Sequence, residues 1–190
     1  MHIGLDLDDV LASWQDSFLG FYNRKHNTHF KRKEFSSYKL WEILGCEQAY
    51  AYQMVDEFYT SSFFSDIPPI PGSQKAIESL HIQGSRLSVI TARPHYIQEE
   101  SISWVEKHFP ERITSVHFVG IYNENTSTAK KNICDKLAVD AFVEDNLDTA
   151  KACISQCRRV FLLDTPWNQG ATNGIERVKS WEEIIQQLKI

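Results

Sequence analysis

Three carboxylates, Asp6, Asp8 and Asp9, close an apolar run near the start of the chain, His2-Ile3-Gly4-Leu5-Asp6-Leu7-Asp8-Asp9-Val10-Leu11. Ile3, Leu5 and Leu7 alternate with Gly4, Asp6 and Asp8, the period of a β-strand with two unlike faces. Asp6 and Asp8 then share a face near the strand's carboxyl end, where open α/β sheets hold their ligands. Acids this close raise one another's pKa unless a cation neutralises them, and a hard, oxygen-seeking ion such as Mg²⁺ suits that task. A solvated acidic turn would read the same way if nothing further along the chain answered it.

Three later segments do answer it. Arg86-Leu87-Ser88-Val89-Ile90-Thr91 is a buried-type strand run that ends in a hydroxyl and is followed by Ala92-Arg93-Pro94. Ala141-Phe142-Val143-Glu144-Asp145-Asn146 is another apolar run ending in an acidic pair. Between them, Thr126-Ser127-Thr128-Ala129-Lys130-Lys131-Asn132-Ile133-Cys134 reads as a capped helix start carrying two lysines. Singly, each has a plain reading: Thr91 as a turn cap, Lys130 as an exposed helix residue, Glu144-Asp145 as a cap for the helix that follows. Their joint occurrence, in order and at element ends, is what points to chemistry.

That succession resembles the haloacid dehalogenase superfamily. Asp6-Leu7-Asp8 matches its Asp-x-Asp motif, Thr91 its strand-terminal hydroxyl, Lys130 its lysine and Glu144-Asp145 its acidic pair. Lys130 and Lys131 point about 100° apart on a helix, so only one can face the site. The family pattern, with the lysine four residues before a core position like Cys134, selects Lys130. The resemblance implies a phosphatase in which Asp6 attacks phosphorus to form an aspartyl-phosphate. Asp8 would protonate the leaving oxygen and then activate water. Mg²⁺ would bridge Asp6, the backbone carbonyl of Asp8 and Asp145, with Glu144 behind or bound through water. Thr91 would donate to a phosphoryl oxygen, and Lys130 would neutralise charge. Asp9 departs from the relatives, which often carry Gly there, and reads as a surface residue or one that orients Asp8.

The elements that must position these groups alternate. A helix at about 73–80 is followed by the strand 86–91, a helix at about 96–109, a strand near 115–119, a helix at about 128–137 and the strand 140–144. A helix at about 148–155, a strand at 159–163 and a last helix at 180–188 complete the series. Such alternation predicts an α/β fold, a parallel sheet with helices on both faces joined by right-handed crossovers. The stretch from 13 to 66 breaks the pattern. It is aromatic, free of proline and mostly helical in period, with Trp14, Phe18, Phe21 and Tyr22 on one face and Tyr50, Met54 and Phe58 spaced four apart. Ile67-Pro68-Pro69-Ile70-Pro71-Gly72 then ends any helix. Residues 13–66 therefore read as a helical insertion; the resemblance implies that 1–12 and 67–190 form a haloacid dehalogenase-like core and that 13–66 is a helical cap of the superfamily's first type.

Among such phosphatases, three blocks resemble the 5'(3')-deoxyribonucleotidases of pyrimidine nucleotides: Asp6-Leu7-Asp8-Asp9-Val10-Leu11-Ala12, Phe63-Phe64 with Ile70-Pro71-Gly72, and Trp104 to Phe109. Val160 to Asn168 resembles bacterial members of that group. A nucleoside monophosphate is the substrate this implies, with Phe18, Tyr22, Trp41 or Phe64 as surfaces for the base. Arg93 stands where relatives often carry Ser and is a further candidate substrate contact. The same motifs leave room for a phosphatase of another small metabolite, such as a sugar phosphate or phosphoglycolate. A receiver-type signalling module, which holds a phosphoryl group without turnover, fits poorly. Its phospho-accepting Asp follows a later strand, and it carries no such insertion.

Composition bounds the partners. The 190 residues are 42% hydrophobic with a net charge of −5, enough for one good core and without the basic stripe a nucleic-acid polymer demands. Lys31-Arg32-Lys33, the basic cluster of the sequence, reads as solvated surface. No run is long enough to span a bilayer, and the first strand leaves no room for a signal peptide, which predicts a cytoplasmic protein with reduced thiols. Cys46, Cys134, Cys153 and Cys157 lack zinc spacing, and Cys134 reads as packing. The sequence leaves the oligomeric state open, a homodimer included.

Overall fold

A computed structural model describes residues 1–120 and 125–188. Six strands form one all-parallel sheet: β1 (His2–Leu5), β2 (Arg86–Thr91), β3 (Ser115–Phe118), β4 (Ala141–Glu144), β5 (Arg159–Leu163) and β6 (Glu176–Val178), in the order β3-β2-β1-β4-β5-β6. The strand order reverses beside β1, so the carboxyl ends of β1, β2 and β4 open into the crevice where such sheets bind ligands. Both faces are apolar because both are covered. Leu87, Val89, Ile3, Leu5, Ala141, Val143, Phe161 and Leu163 face one side, while Ile90, Phe142, Val160 and Leu162 face the other. Gly4 is required by this packing, since a Cβ there would lie 2.9 Å from the Phe142 ring.

Four helices in the amino-terminal third, α1 (Trp14–His26), α2 (Leu40–Leu44), α3 (Gln48–Tyr59) and α4 (Ser62–Ser65), follow β1. The core helices are α5 (Ser73–Ile82), α6 (Gln98–His108), α7 (Thr126–Leu137), α8 (Leu147–Cys153) and α9 (Trp181–Gln187). Two features differ from the sequence expectation. The insertion is not helical between α1 and α2: a left-handed Asn27 ends α1, and only a short 3₁₀ turn at Arg32–Glu34 breaks the loop that follows. β6 was not foreseen, because three residues, Glu-Arg-Val, carry no readable period.

The insertion enters and leaves the sheet through one narrow neck. Ala12 pairs with Pro69, the Ser13 N–H donates to the Pro68 carbonyl at 2.9 Å, and the Ile70 N–H donates to Leu11 at 2.7 Å. Above the neck, Phe18 stacks on Trp14 at 5.1 Å between ring centroids and meets Phe58 edge-on at 5.7 Å. These rings are continuous with the sheet's apolar face, so residues 13–66 and the core share one hydrophobic cluster. Phe18→Ala should therefore act on stability, removing about 3–5 kcal/mol as large-to-small core changes do. Chemical denaturation checks this. A loss under about 1 kcal/mol would show that the aromatic cluster closes over the gap.

Candidate active site

Two parallel strands and one helix bring the central charges together. Asp6 follows β1 directly, and its backbone N–H donates to Val143 of β4 at 2.9 Å, which fixes the residue in line with the sheet. Glu144 ends β4 and Asp145 follows it. α7 crosses above and directs Lys130 inward, so that Nζ lies 2.7 Å from Asp6 Oδ1 and 3.0 Å from Glu144 Oε2. Cys134, one turn along α7, is buried in the apolar cluster with Cys153 and Cys157 and fixes the rotation of the helix. Lys131 is only half-buried, as its position around the helix dictates.

Asp6, Glu144 and Asp145 each place a carboxylate oxygen within 4.8 Å of the others. Burial raises all three pKa values. The Asp6 charge adds to the effect at Glu144 and Asp145, and Asp145 is pushed up to about 7. Burial works against the Lys130 ammonium, but the Asp6 and Glu144 carboxylates hold its pKa above the ordinary lysine value. With all three acids ionised against one ammonium, two negative charges would stand in a buried space, which is the state these raised pKa values oppose. A divalent cation restores neutrality, and carboxylate oxygens are the donors that a hard divalent ion takes. The residues present fit such an ion.

Asp145 is held from three further directions. The Trp167 indole Nε1–H donates to Asp145 Oδ2 at 2.8 Å, and the Asn168 amide donates to the Asp145 carbonyl at 2.7 Å. The Tyr38 hydroxyl, from the loop between α1 and α2, donates to both the carbonyl and Oδ2 of Asp145. Burial and the charges of Asp145 and Glu144 raise the Tyr38 pKa well above its usual value, which keeps that hydroxyl a donor. Sequence reasoning singled out neither Tyr38 nor Trp167 for this role, although Trp167 and Asn168 lie in the block that resembles bacterial relatives.

Other expected groups are placed differently. Asp8 lines the cavity, but its carboxylate turns from the three clustered acids toward Arg93, so the ligand atom expected from it is the backbone carbonyl alone. Arg93 is buried and directs its guanidinium to Asp8 and Ser101, not into the cavity lining, which corrects its reading as a substrate contact. Thr91 is buried, and its Oγ accepts the Arg93 N–H at 3.1 Å. Asp9 is not a surface residue. It is buried with φ +56°, and it accepts the Gln15 N–H at 3.1 Å and the Arg32 guanidinium at 2.9 Å. The glycine common in relatives at this position answers a left-handed backbone, which Asp also tolerates.

A cavity of about 370 Å³ opens beside Asp6, Asp8, Lys130 and Asp145. The insertion supplies Trp14, Tyr38, Trp41, Tyr52 and Tyr59 to its wall. Of the rings expected to meet a base, only Trp41 is there. Phe18 is fully buried among Trp14 and Phe58, and Tyr22 is buried against His26 and Phe30. Phe64 covers the Arg93 guanidinium at 5.0 Å. The helix face that the sequence shows as apolar is thus turned into the insertion's own packing.

The fold is that of the haloacid dehalogenase-like hydrolases. A haloacid dehalogenase-like hydrolase from Streptococcus pneumoniae superposes with a TM-score of 0.71 at 10% identity, covering 99% of this chain and 98% of that one. A family hydrolase from Deinococcus radiodurans with bound phosphate and sodium gives a TM-score of 0.68 at 12% identity, covering 98% and 94%. The family model described as "5' nucleotidase, deoxy (Pyrimidine), cytosolic type C protein" matches residues 1–190. The chain belongs to that family and is a hydrolase of phosphomonoester bonds. A Bacillus cereus protein described as "Putative nucleotidase" is 27% identical over 197 residues, covering 100% of this chain and 98% of the relative. A Chlorobaculum tepidum protein described as "Putative 5'(3')-deoxyribonucleotidase" is 23% identical, covering 98% and 89%.

Trp167→Phe keeps the ring and removes the N–H that orients Asp145. Loss of such an orienting donor typically weakens metal affinity about 10- to 100-fold, so the rise in melting temperature on adding a divalent ion should require that much more ion. An unchanged titration midpoint would show that Asp145 does not depend on the indole.

Proposed function

We propose that this protein is a Mg²⁺-dependent 5'-nucleotidase that transfers the phosphoryl group of a (deoxy)nucleoside monophosphate to Asp6 and then to water. The carrying observation is the Asp6 carboxylate, 2.7 Å from Lys130 Nζ, on the wall of a cavity that the aromatic insertion completes. A phosphomonoester hydrolyses extremely slowly in water, so the site must supply a nucleophile, leaving-group assistance and charge neutralisation.

Asp6 Oδ supplies the nucleophile, and the bond from phosphorus to the nucleoside oxygen breaks as the Asp6–phosphorus bond forms. Asp8 gives its proton to the departing 5'-oxygen. It then takes a proton from the water that attacks phosphorus and returns Asp6 to a carboxylate. Lys130 holds Asp6 and offsets the charge gathering on the transferring group. Asp6, Asp145 and the Asp8 carbonyl would hold Mg²⁺, with Glu144 fixing Lys130 from behind; when bound, the ion neutralises charge on the phosphoryl oxygens. Thr91 would donate its hydroxyl to one of those oxygens.

Residues 13–66 act as a cap in this reading, with Trp41 and its aromatic neighbours offering the flat surface a base requires. A sugar phosphate needs no such surface, which favours the nucleotide over the smaller metabolites. Purified protein should release phosphate from nucleoside monophosphates faster than from sugar phosphates or phosphoglycolate when Mg²⁺ is present. Chelation and Asp6→Asn should each abolish turnover. Release from a sugar phosphate with nucleotides untouched would remove the nucleotidase reading. Turnover by Asp6→Asn near the unaltered rate would remove the nucleophile.

A further inference from the structure

We infer that Arg93 is the positioning residue for Asp8, a fixed fork that aims the leaving-group acid at the cavity. Arg93 Nη2 donates to Asp8 Oδ1 at 2.7 Å, and Nε donates to both Asp8 oxygens at 3.1 Å. Nη1 donates to Ser101 Oγ at 3.1 Å, and the Phe64 ring covers the guanidinium face at 5.0 Å. The Arg93 backbone N–H is held by Thr91 Oγ.

The two side chains differ in a way that matters. Arg93 is 0% exposed and Asp8 is 26% exposed. The fork is enclosed on all sides, while the carboxylate it grips keeps an open side on the cavity. A planar guanidinium fixes a carboxylate in angle as well as distance, which a lysine ammonium cannot do. A carboxylate free to swing would spend much of its time out of line with the departing oxygen, and small misplacements of an acid are costly in rate. Ser101 on α6 and Phe64 on α4 set the fork from a core helix and from the last helix of the insertion. The orientation of the acid is thus tied to the place where the insertion rejoins the core.

This inference rests on Asp8 being the leaving-group acid, so the test separates the two. Wild type, Asp8→Asn, Arg93→Ala and Arg93→Lys are compared on an alkyl phosphate, which needs the acid, and on nitrophenyl phosphate, whose leaving group needs it little. Arg93→Ala should lose about 10- to 100-fold in kcat/KM on the alkyl phosphate, within the range general acid help covers. On nitrophenyl phosphate it should stay within about threefold of wild type, and Arg93→Lys should show the same leaving-group bias. Guanidinium ion added well below denaturing concentration should restore the alkyl phosphatase activity of Arg93→Ala and leave Arg93→Lys unmoved. Melting temperatures establish that the variants are folded. Should Arg93→Ala prove unfolded, the bias in Arg93→Lys decides alone. Equal losses on both esters in the Arg93 variants, with the bias intact in Asp8→Asn, would overturn the positioning role. Absence of bias in Asp8→Asn as well would overturn the acid assignment and this inference with it.

Discussion

The site is organised around a charge imbalance that the chain does not itself correct. Lys130 lies between Asp6 and Glu144, and Asp145 stands within reach of both acids, all of them buried. Isolated buried charges are among the costliest features a fold can carry, and a pair survives only where geometry and further hydrogen bonds compensate. Here one ammonium serves three acids. Such a cluster suits a divalent cation. Arg93 and Arg32 each meet one of the other two acids, Asp8 and Asp9. Among the described residues, Asp6, Glu144 and Asp145 thus share one ammonium, whereas Asp8 and Asp9 each meet a guanidinium.

The sheet exists, for this purpose, to hold that cluster against its own repulsion. β1 and β4 are hydrogen-bonded neighbours, so Asp6 and the Glu144-Asp145 pair emerge side by side. α7 is rotated by its buried Cys134 so that Lys130 and not Lys131 descends into the gap. The insertion reaches the same point from above. Tyr38 donates to Asp145, and Arg32 binds Asp9 while lying 4.6 Å over the Trp167 ring that itself donates to Asp145. Movement of the insertion therefore cannot leave Asp145 untouched. Among the described residues, no helix is long and apolar enough to cross a membrane.

Much of this was legible in the chain, for identifiable reasons. The strands that carry chemistry have strong periods and end in polar residues of unusual type, which located β2 and β4 within a residue or so; β1 ends at Leu5, three residues short of the Asp8 that its alternation included. The acids and Thr91 could be chosen because order and element position matched the family the chain resembles, and Lys130 because that family's pattern selects it over Lys131. What escaped was direction. A helical period shows that Phe18 and Tyr22 are buried but not against what, and they proved to pack inside the insertion. No local pattern tells that Arg93 meets an acid 85 positions earlier, or that Tyr38 reaches one 107 positions later. Asp9 was misread as a surface residue, because the partners of its carboxylate, Gln15 and Arg32, lie on the insertion. β6 was too short to show any period.

The central claim is that phosphate passes through a covalent state on Asp6 and not straight to water. The stereochemical course at phosphorus tests it most directly, using a phosphomonoester made chiral with oxygen isotopes and hydrolysed in isotopically labelled water. Two successive in-line displacements, on Asp6 and then on water, predict net retention of configuration. Inversion would show a single direct attack by water and would contradict the account.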